Sequence, residues 1–155
     1  MPVIARKDGS EDFIPDEAWD EFLGVLRDYD VVVMGRKTYE TIQSYPATMV
    51  REFEDFRVRR VVVSQDANFK AKKSYAVISS VSEIPSLGDR VLITSGPSLN
   101  TAAFKAGIID RVMINIVPET IGEGIPVFGE PVALDLLSTD EKPAGRKICT
   151  YAIAS

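Results

Sequence analysis

The chain predicts an α/β fold with a mixed, mostly parallel central sheet, flanking helices and an antiparallel C-terminal hairpin. Three observations lead there. The runs Val31 to Met34, Val61 to Val63 and Val91 to Ile93 are apolar without polar alternation, which suits strands buried on both faces. Each gives way to small polar residues, and the runs recur about every 30 residues, enough for strand, helix and return. Beyond Gly107 the pattern turns to alternation, the mark of extended strands with two unlike faces.

Taken in order, the first element is a helix. From Asp16 to Arg27, Trp19, Phe22, Leu23 and Leu26 fall at i, i+3, i+4 and i+7, one face of an amphipathic helix. The strand at Val31 runs into Gly35, and a second helix starts near Lys37 and stops before Pro46. Ala47 to Phe56 predicts another turn or two of helix ahead of the strand at Val61. Pro97 to Ala106 has Pro near its first turn and Gly107 just past its end, the asymmetry of a helix. "DRVMINIVPE" then sets Val112, Ile114 and Ile116 on one face and Met113, Asn115 and Val117 on the other. After the glycine-rich "TIGEGIPVFGE", strands near Val132 to Ser138 and Arg146 to Ile153 pair antiparallel through Asp140 to Gly145.

Composition bounds the function. A chain of 155 residues, 45% hydrophobic, predicts one domain with a substantial core. Its net charge of −5 argues against a broad footprint for nucleic acid or an anionic membrane, so any anion site is local. With no histidine, Ser-His-Asp and Cys-His catalysis and histidine metal sites are excluded. Proton chemistry falls to a carboxylate, Tyr, Lys or water. The single Cys149 predicts a buried thiol in a reduced compartment. There is no signal peptide pattern and no apolar run near the roughly 20 residues needed to span a bilayer, so the expectation is a soluble, cytoplasmic protein.

In an open parallel sheet, ligands bind beyond the carboxyl ends of the strands, where helix N-termini point N–H groups into a shared crevice. The three strand-end segments must share that side. Arg36 and Lys37 bring charge, Thr38, Ser64 and Ser98 bring hydroxyls, and Gly35 and Gly96 let a ligand approach the backbone. Together they suit phosphates, although helix starts use the same residue types for capping. Neither G-x-G-x-x-G after a strand nor G-x-x-x-x-G-K-[ST] is present. Asp16 lies nearer the apolar face of the first helix than Glu17 or Asp20, so it either looks into a pocket or caps the helix after Pro15. Arg57, Arg59, Arg60, Lys70, Lys72 and Lys73 are mostly solvated surface, with help to a phosphate as the other reading.

"VVVMGRKTYE", "RRVVVSQD" and "VLITSGPSLNTAAFKAGIIDRVMINIVPETIGEGIPVFG" together resemble the dihydrofolate reductase superfamily. The last stretch is more similar to the reductase domain of the riboflavin-biosynthesis bifunctional deaminase-reductases. The resemblance implies NADPH bound in extended form and hydride transfer to a small heteroaromatic substrate, pterin-like or an aminopyrimidine of the riboflavin pathway. Carried over by position, Gly35, Arg36, Lys37 and Thr38 would hold the 2′-phosphate and pyrophosphate region. Ser64 and Gln65 would lie at the adenosine end, and Ser95, Gly96, Pro97, Ser98, Leu99 and Asn100 would wrap the pyrophosphate. The first helix, Val117 and the loop carrying Gly122, Glu123, Gly124 and Pro126 would bound the substrate. Apart from the resemblance, the place of Asp16 on the first helix makes it the carboxylate expected to supply the proton, with Asp20 second. Relatives of this branch often pair as dimers.

Two positions depart from the family pattern: Ser95-Gly96 stands where two adjacent glycines are usual, and Met1-Pro2-Val3-Ile4 is short for the usual first strand. They motivate an alternative expectation, a reductase-like nucleotide-binding or assembly module without turnover.

Overall fold

The structure is a computed structural model that describes residues 3–5, 17–94, 96–116, 125–142 and 145–154. In chain order the elements are β1 (Val3–Ala5), α1 (Glu17–Leu26), β2 (Val31–Gly35), α2 (Arg36–Gln43), α3 (Ala47–Glu54), β3 (Arg59–Val63) and β4 (Tyr75–Ile78). A 3-10 helix (Val81–Ser86) follows, then β5 (Val91–Ile93), α4 (Pro97–Lys105), β6 (Arg111–Ile116), β7 (Ile125–Pro126), β8 (Leu134–Glu141) and β9 (Lys147–Ile153).

Four strands form a parallel sheet in the order β4-β3-β2-β5. Val33 of β2 lies opposite Val61 of β3 and Ile93 of β5, so the three apolar runs sit side by side. The absence of alternation in β2 has a direct cause, since Val31, Val32, Val33 and Met34 are all between 0% and 1% exposed. Val32, Met34 and Val62 face Leu23, Leu26, Tyr39, Ile42 and Phe53 from the first three helices. Val31, Val33 and Val61 face Ile84 of the 3-10 helix and Leu99 of α4. Each such side chain contributes about 1.5–3 kcal/mol by leaving water, and together they fix the three-layer arrangement.

Because all four strands run the same way, Gly35, Val63, Ile78 and Ile93 end on one side. This is the geometry the sequence predicts for a crevice. The helices match expectation to within a residue or two, and the C-terminal pair β8 and β9 is antiparallel.

The sheet is not one continuous mixed sheet, however. Among the described residues, β6, β9 and β8 form a separate antiparallel sheet in that order, and β1 pairs antiparallel with β7. Val3–Ala5 is three residues long and lies against Ile125–Pro126, so no described strand joins β5 to β6. Three elements are additions to the sequence reading: β4, the two-residue β7 within the glycine-rich stretch, and the 3-10 helix whose Ser80 and Glu83 form a reciprocal capping box. No described helix is long and apolar enough to cross a membrane.

An ion pair 125 positions apart in sequence ties α1 to the C-terminal sheet. Arg146, 1% exposed, donates from Nη1 and Nη2 to the two carboxylate oxygens of Glu21 at 2.8 and 2.7 Å. The bidentate fork satisfies charge and geometry at once. The hydrogen bond from Arg146 holds the Glu21 carboxyl below its ordinary range, against partial burial, which acts the other way. Arg146→Ala should therefore cost roughly 3 kcal/mol, measured by urea unfolding, because it leaves Glu21 without its partner. The acid dependence has a fixed sign. A carboxyl depressed in the folded state adds stability above its unfolded pKa, about 4.3, and that stability is lost as pH falls through the lower folded value. Glu21→Gln should flatten the fall in stability below about pH 4.3, whereas an unchanged acid limb would show that the pair contributes nothing there.

Candidate functional site

Of the neighbouring strands β2 and β5, the first runs straight into α2 and the second is followed three residues later by α4. Gly35 precedes α2 in an extended conformation (φ −79°, ψ 169°), and Gly96 precedes α4 in nearly the same one (φ −82°, ψ −175°). Neither glycine offers a side chain to cap the first turn that follows it. First-turn amides have no intrahelical acceptor, so two helix starts on adjacent strands present N–H groups and positive dipole ends at the same end of the sheet, α2 from one face and α4 from the other. An added Cβ at Gly96 would meet nothing within 4 Å, so that side of the backbone is open.

The first turn of α2 carries Arg36 and Lys37 and no acidic residue, against the preference of the helix dipole. Arg36 is answered from two directions. Its Nε donates to Oε1 of Glu40 one turn on at 2.7 Å, and its Nη1 donates to Oδ2 of Asp66 beyond β3 at 3.1 Å. Its guanidinium carbon also lies 5.1 Å from the centre of the Phe69 ring, a cation–π contact. Asp66 is itself oriented, because its Oδ1 accepts from the Asn68 N–H at 2.9 Å and its N–H donates to Ser64 Oγ at 3.3 Å.

The structure thus brings Gly35, Arg36, Lys37 and Thr38 beside Ser64 and Gln65 on one flank, and places Gly96, Pro97 and Ser98 at the next strand end. Leu99 is 8% exposed and packs in the core, so any part it takes in the crevice is through its backbone. Asn100 Nδ2 donates to the Val127 carbonyl at 2.7 Å, and Thr101 Oγ1 accepts from the Gly129 N–H at 2.8 Å. These two bonds dock α4 against the segment after β7. Asp20 lies exposed on α1. Asp16, Ser95, Val117, Gly122, Glu123 and Gly124 lie outside the described residues, and Pro126 is described only as the β7 backbone opposite Val3.

Sequence reading missed Asp66, Glu40 and Phe69. Glu40 at i+4 from Arg36 was a legible signal, whereas Asp66 is joined to Arg36 only by the parallel register of β2 and β3.

Two of the other basic residues, Arg60 and Lys72, act elsewhere. Arg60 Nη1 donates to the Phe53 and Phe56 carbonyls at 3.4 and 3.0 Å, closing the end of α3 at the amino ends of the strands. Lys72 Nζ pairs with Glu54 at 3.2 Å, beside a cavity of about 370 Å³ lined by Gln43, Tyr45, Val50, Arg51 and Glu54. Glu54 Oε2 also accepts from Tyr75 Oη at 2.8 Å and Gln43 Nε2 at 3.3 Å. Burial acts to raise the Glu54 carboxyl, but bonds from Tyr75, Lys72 and Gln43 outweigh it and hold the group low. Burial and the neighbouring Glu54 push the Tyr75 hydroxyl well above its ordinary value. With three donors on one carboxylate, this end of the molecule is a packing cluster that joins α2, α3 and β4. Among the described residues no group of three or more acidic or thiol side chains is placed to hold a metal.

At the strand ends, the donor set fits an elongated anionic ligand such as a nicotinamide dinucleotide. Amides at two helix starts suit a pyrophosphate, and a cation stacked on an aromatic ring suits a further phosphate or a base.

Known proteins share this fold. A protein of Bacillus subtilis (strain 168), the uncharacterized protein YwjB, is 26% identical over 137 residues, covering 83% of this chain and 76% of its own. A putative riboflavin biosynthesis protein from Shewanella sp. PV-4 superposes with a TM-score of 0.76 at 20% identity, over 99% of this chain and 93% of that one. A pyrimidine reductase-like protein from Corynebacterium diphtheriae gives 0.68 at 15% identity, over 99% of this chain and 90% of that one. A Thermotoga maritima diaminohydroxyphosphoribosylaminopyrimidine deaminase/5-amino-6-(5-phosphoribosylamino)uracil reductase gives 0.69 at 14% identity, over 98% of this chain but 53% of that one. At these identities the structures establish a shared fold, the three-layer arrangement. Residues 3–144 match the model of the RibD C-terminal domain, and the chain belongs to that family.

Proposed function

We propose that the chain is an NADPH-dependent reductase that delivers hydride to a small heteroaromatic substrate, pterin-like or an aminopyrimidine of the riboflavin pathway. One observation carries the reading: two helix starts with glycine N-caps, Gly35 and Gly96, on adjacent parallel strands. Membership of a reductase-like family supports the reaction class.

When bound, NADPH supplies the hydride, so the chain's own work is to bind, orient and provide a proton. Amides at the start of α4, with Ser98, hold the pyrophosphate. Arg36, Lys37 and Thr38 take the 2′-phosphate region, and Ser64 and Gln65 border the adenosine end. Val117 and the loop with Gly122, Glu123, Gly124 and Pro126 bound the substrate. In a chain without histidine the proton falls to a carboxylate: Asp16 ahead of α1, or Asp20 one turn along.

A second reading, a nucleotide-binding module without turnover, is favoured by β1, which is three residues long and pairs with β7 instead of lying along β6. Turnover separates the two. The reductase should oxidise NADPH when given 5-amino-6-(5-phosphoribosylamino)uracil or a related aminopyrimidine, whereas the module binds nucleotide and leaves it reduced.

Binding itself is tested first. NADPH at 100 times its dissociation constant should add about 2.7 kcal/mol of stability, seen as a raised melting temperature. Arg36→Ala should weaken NADPH about tenfold while leaving NADH little changed, since a charged hydrogen bond to phosphate is lost. A melting temperature indifferent to saturating NADPH would remove the proposal.

A further inference from the structure

The geometry points to Asp66 as the residue that sets the dinucleotide preference of the crevice, by competing with a 2′-phosphate for Arg36. This rests on the reading of the crevice given above, and it goes further by naming what the adenosine end discriminates. The guanidinium expected to meet that phosphate already donates to two carboxylates, at 2.7 Å to Glu40 and 3.1 Å to Asp66. Counting Arg36, Glu40 and Asp66 together, the cluster carries a net charge of −1. Glu40 is an ordinary i,i+4 partner on the same helix and belongs to α2 whether or not a ligand is present.

Asp66 differs in origin and in restraint. It comes from the neighbouring strand end, between Ser64 and Phe69, where the adenosine end of the ligand is placed. Its second oxygen is held by the Asn68 N–H at 2.9 Å, and its own N–H by Ser64 Oγ at 3.3 Å. The carboxylate is therefore built into the turn. A 2′-phosphate must share Arg36 with a fixed negative charge, whereas a ribose with a free 2′-hydroxyl meets an acceptor for its proton. An acidic residue at a strand end accepting a ribose hydroxyl is a known solution for dinucleotides lacking that phosphate. The wild-type chain accordingly discriminates weakly, with Arg36 pulling toward the phosphate and Asp66 pushing against it.

Asp66→Asn isolates the charge, because the amide oxygen still accepts from Asn68. Dissociation constants for NADPH, NADH, adenosine 2′,5′-bisphosphate and 5′-AMP should be measured calorimetrically for the wild type, Asp66→Asn and the double variant with Arg36→Ala. Asp66→Asn should tighten NADPH and adenosine 2′,5′-bisphosphate about five- to tenfold, the size expected for removing one exposed charge beside a dianion. NADH and 5′-AMP should not gain. The double variant should lose the gain, and Asp66→Ser should reproduce the shift seen with Asn. An unchanged NADPH-to-NADH ratio, or equal tightening of all four probes, would overturn the role of Asp66 while leaving the crevice in place. Absence of binding by every probe to every variant would overturn both.

Discussion

Everything at the strand ends depends on β2 pairing in parallel with β3 on one edge and β5 on the other. Val31 to Met34 are closed off from water on both faces, so a slipped strand would exchange the fitted side chains of the two cores and lose their close packing. Holding that register places Gly35 level with Val63 and beside the end of β5. The two helix starts then become neighbours as a consequence of backbone pairing, before any side chain is considered. Burial thus positions the polar end: what is lost by ending three apolar strands together is regained as a row of helix starts and turn hydroxyls.

Electrostatically, the crevice works with little net charge. The chain carries −5 overall, and its one well-placed guanidinium is answered by Glu40 and Asp66. In the proposed crevice, attraction for an anion would therefore come largely from oriented N–H groups at α2 and α4, which need no compensating counter-charge. Exposed side-chain charges act over about 10 Å at 0.1 M salt and are readily screened, whereas amides in direct contact with a phosphate are not. Arg36 stands apart because Phe69 lies under it, which limits its freedom to point elsewhere.

Much of this was legible in the sequence, for a physical reason. The unalternated runs state that both faces are buried, the i, i+3, i+4, i+7 spacing of Trp19 to Leu26 fixes the inner face of α1, and Pro97 with Gly107 brackets α4. What escaped was short or distant. β4 is four residues with one exposed valine, and it pairs only along β3. The 3-10 helix does carry a readable S-x-x-E signal at Ser80 and Glu83, hidden by a proline at its second-last position. β8 begins at Leu134 and runs through Glu141, past the expected end at Ser138, because β9 supplies partners as far as Lys147 and an irregularity near Leu137 lets the pairing continue. The Arg146–Glu21 fork, the Arg36–Asp66 pair and the Glu54 cluster each join residues that only the finished fold brings together. No periodicity announces them.

Amide chemical-shift mapping during an NADPH titration tests whether the two helix starts on adjacent strands form an anion-binding crevice. The largest changes should fall on the amides of Gly35 to Thr38 and Gly96 to Asn100, with smaller ones near Ser64 to Phe69. Changes concentrated instead around Glu54, Lys72 and Tyr75, at the opposite end of the sheet, or no changes at saturating NADPH, would contradict such a crevice.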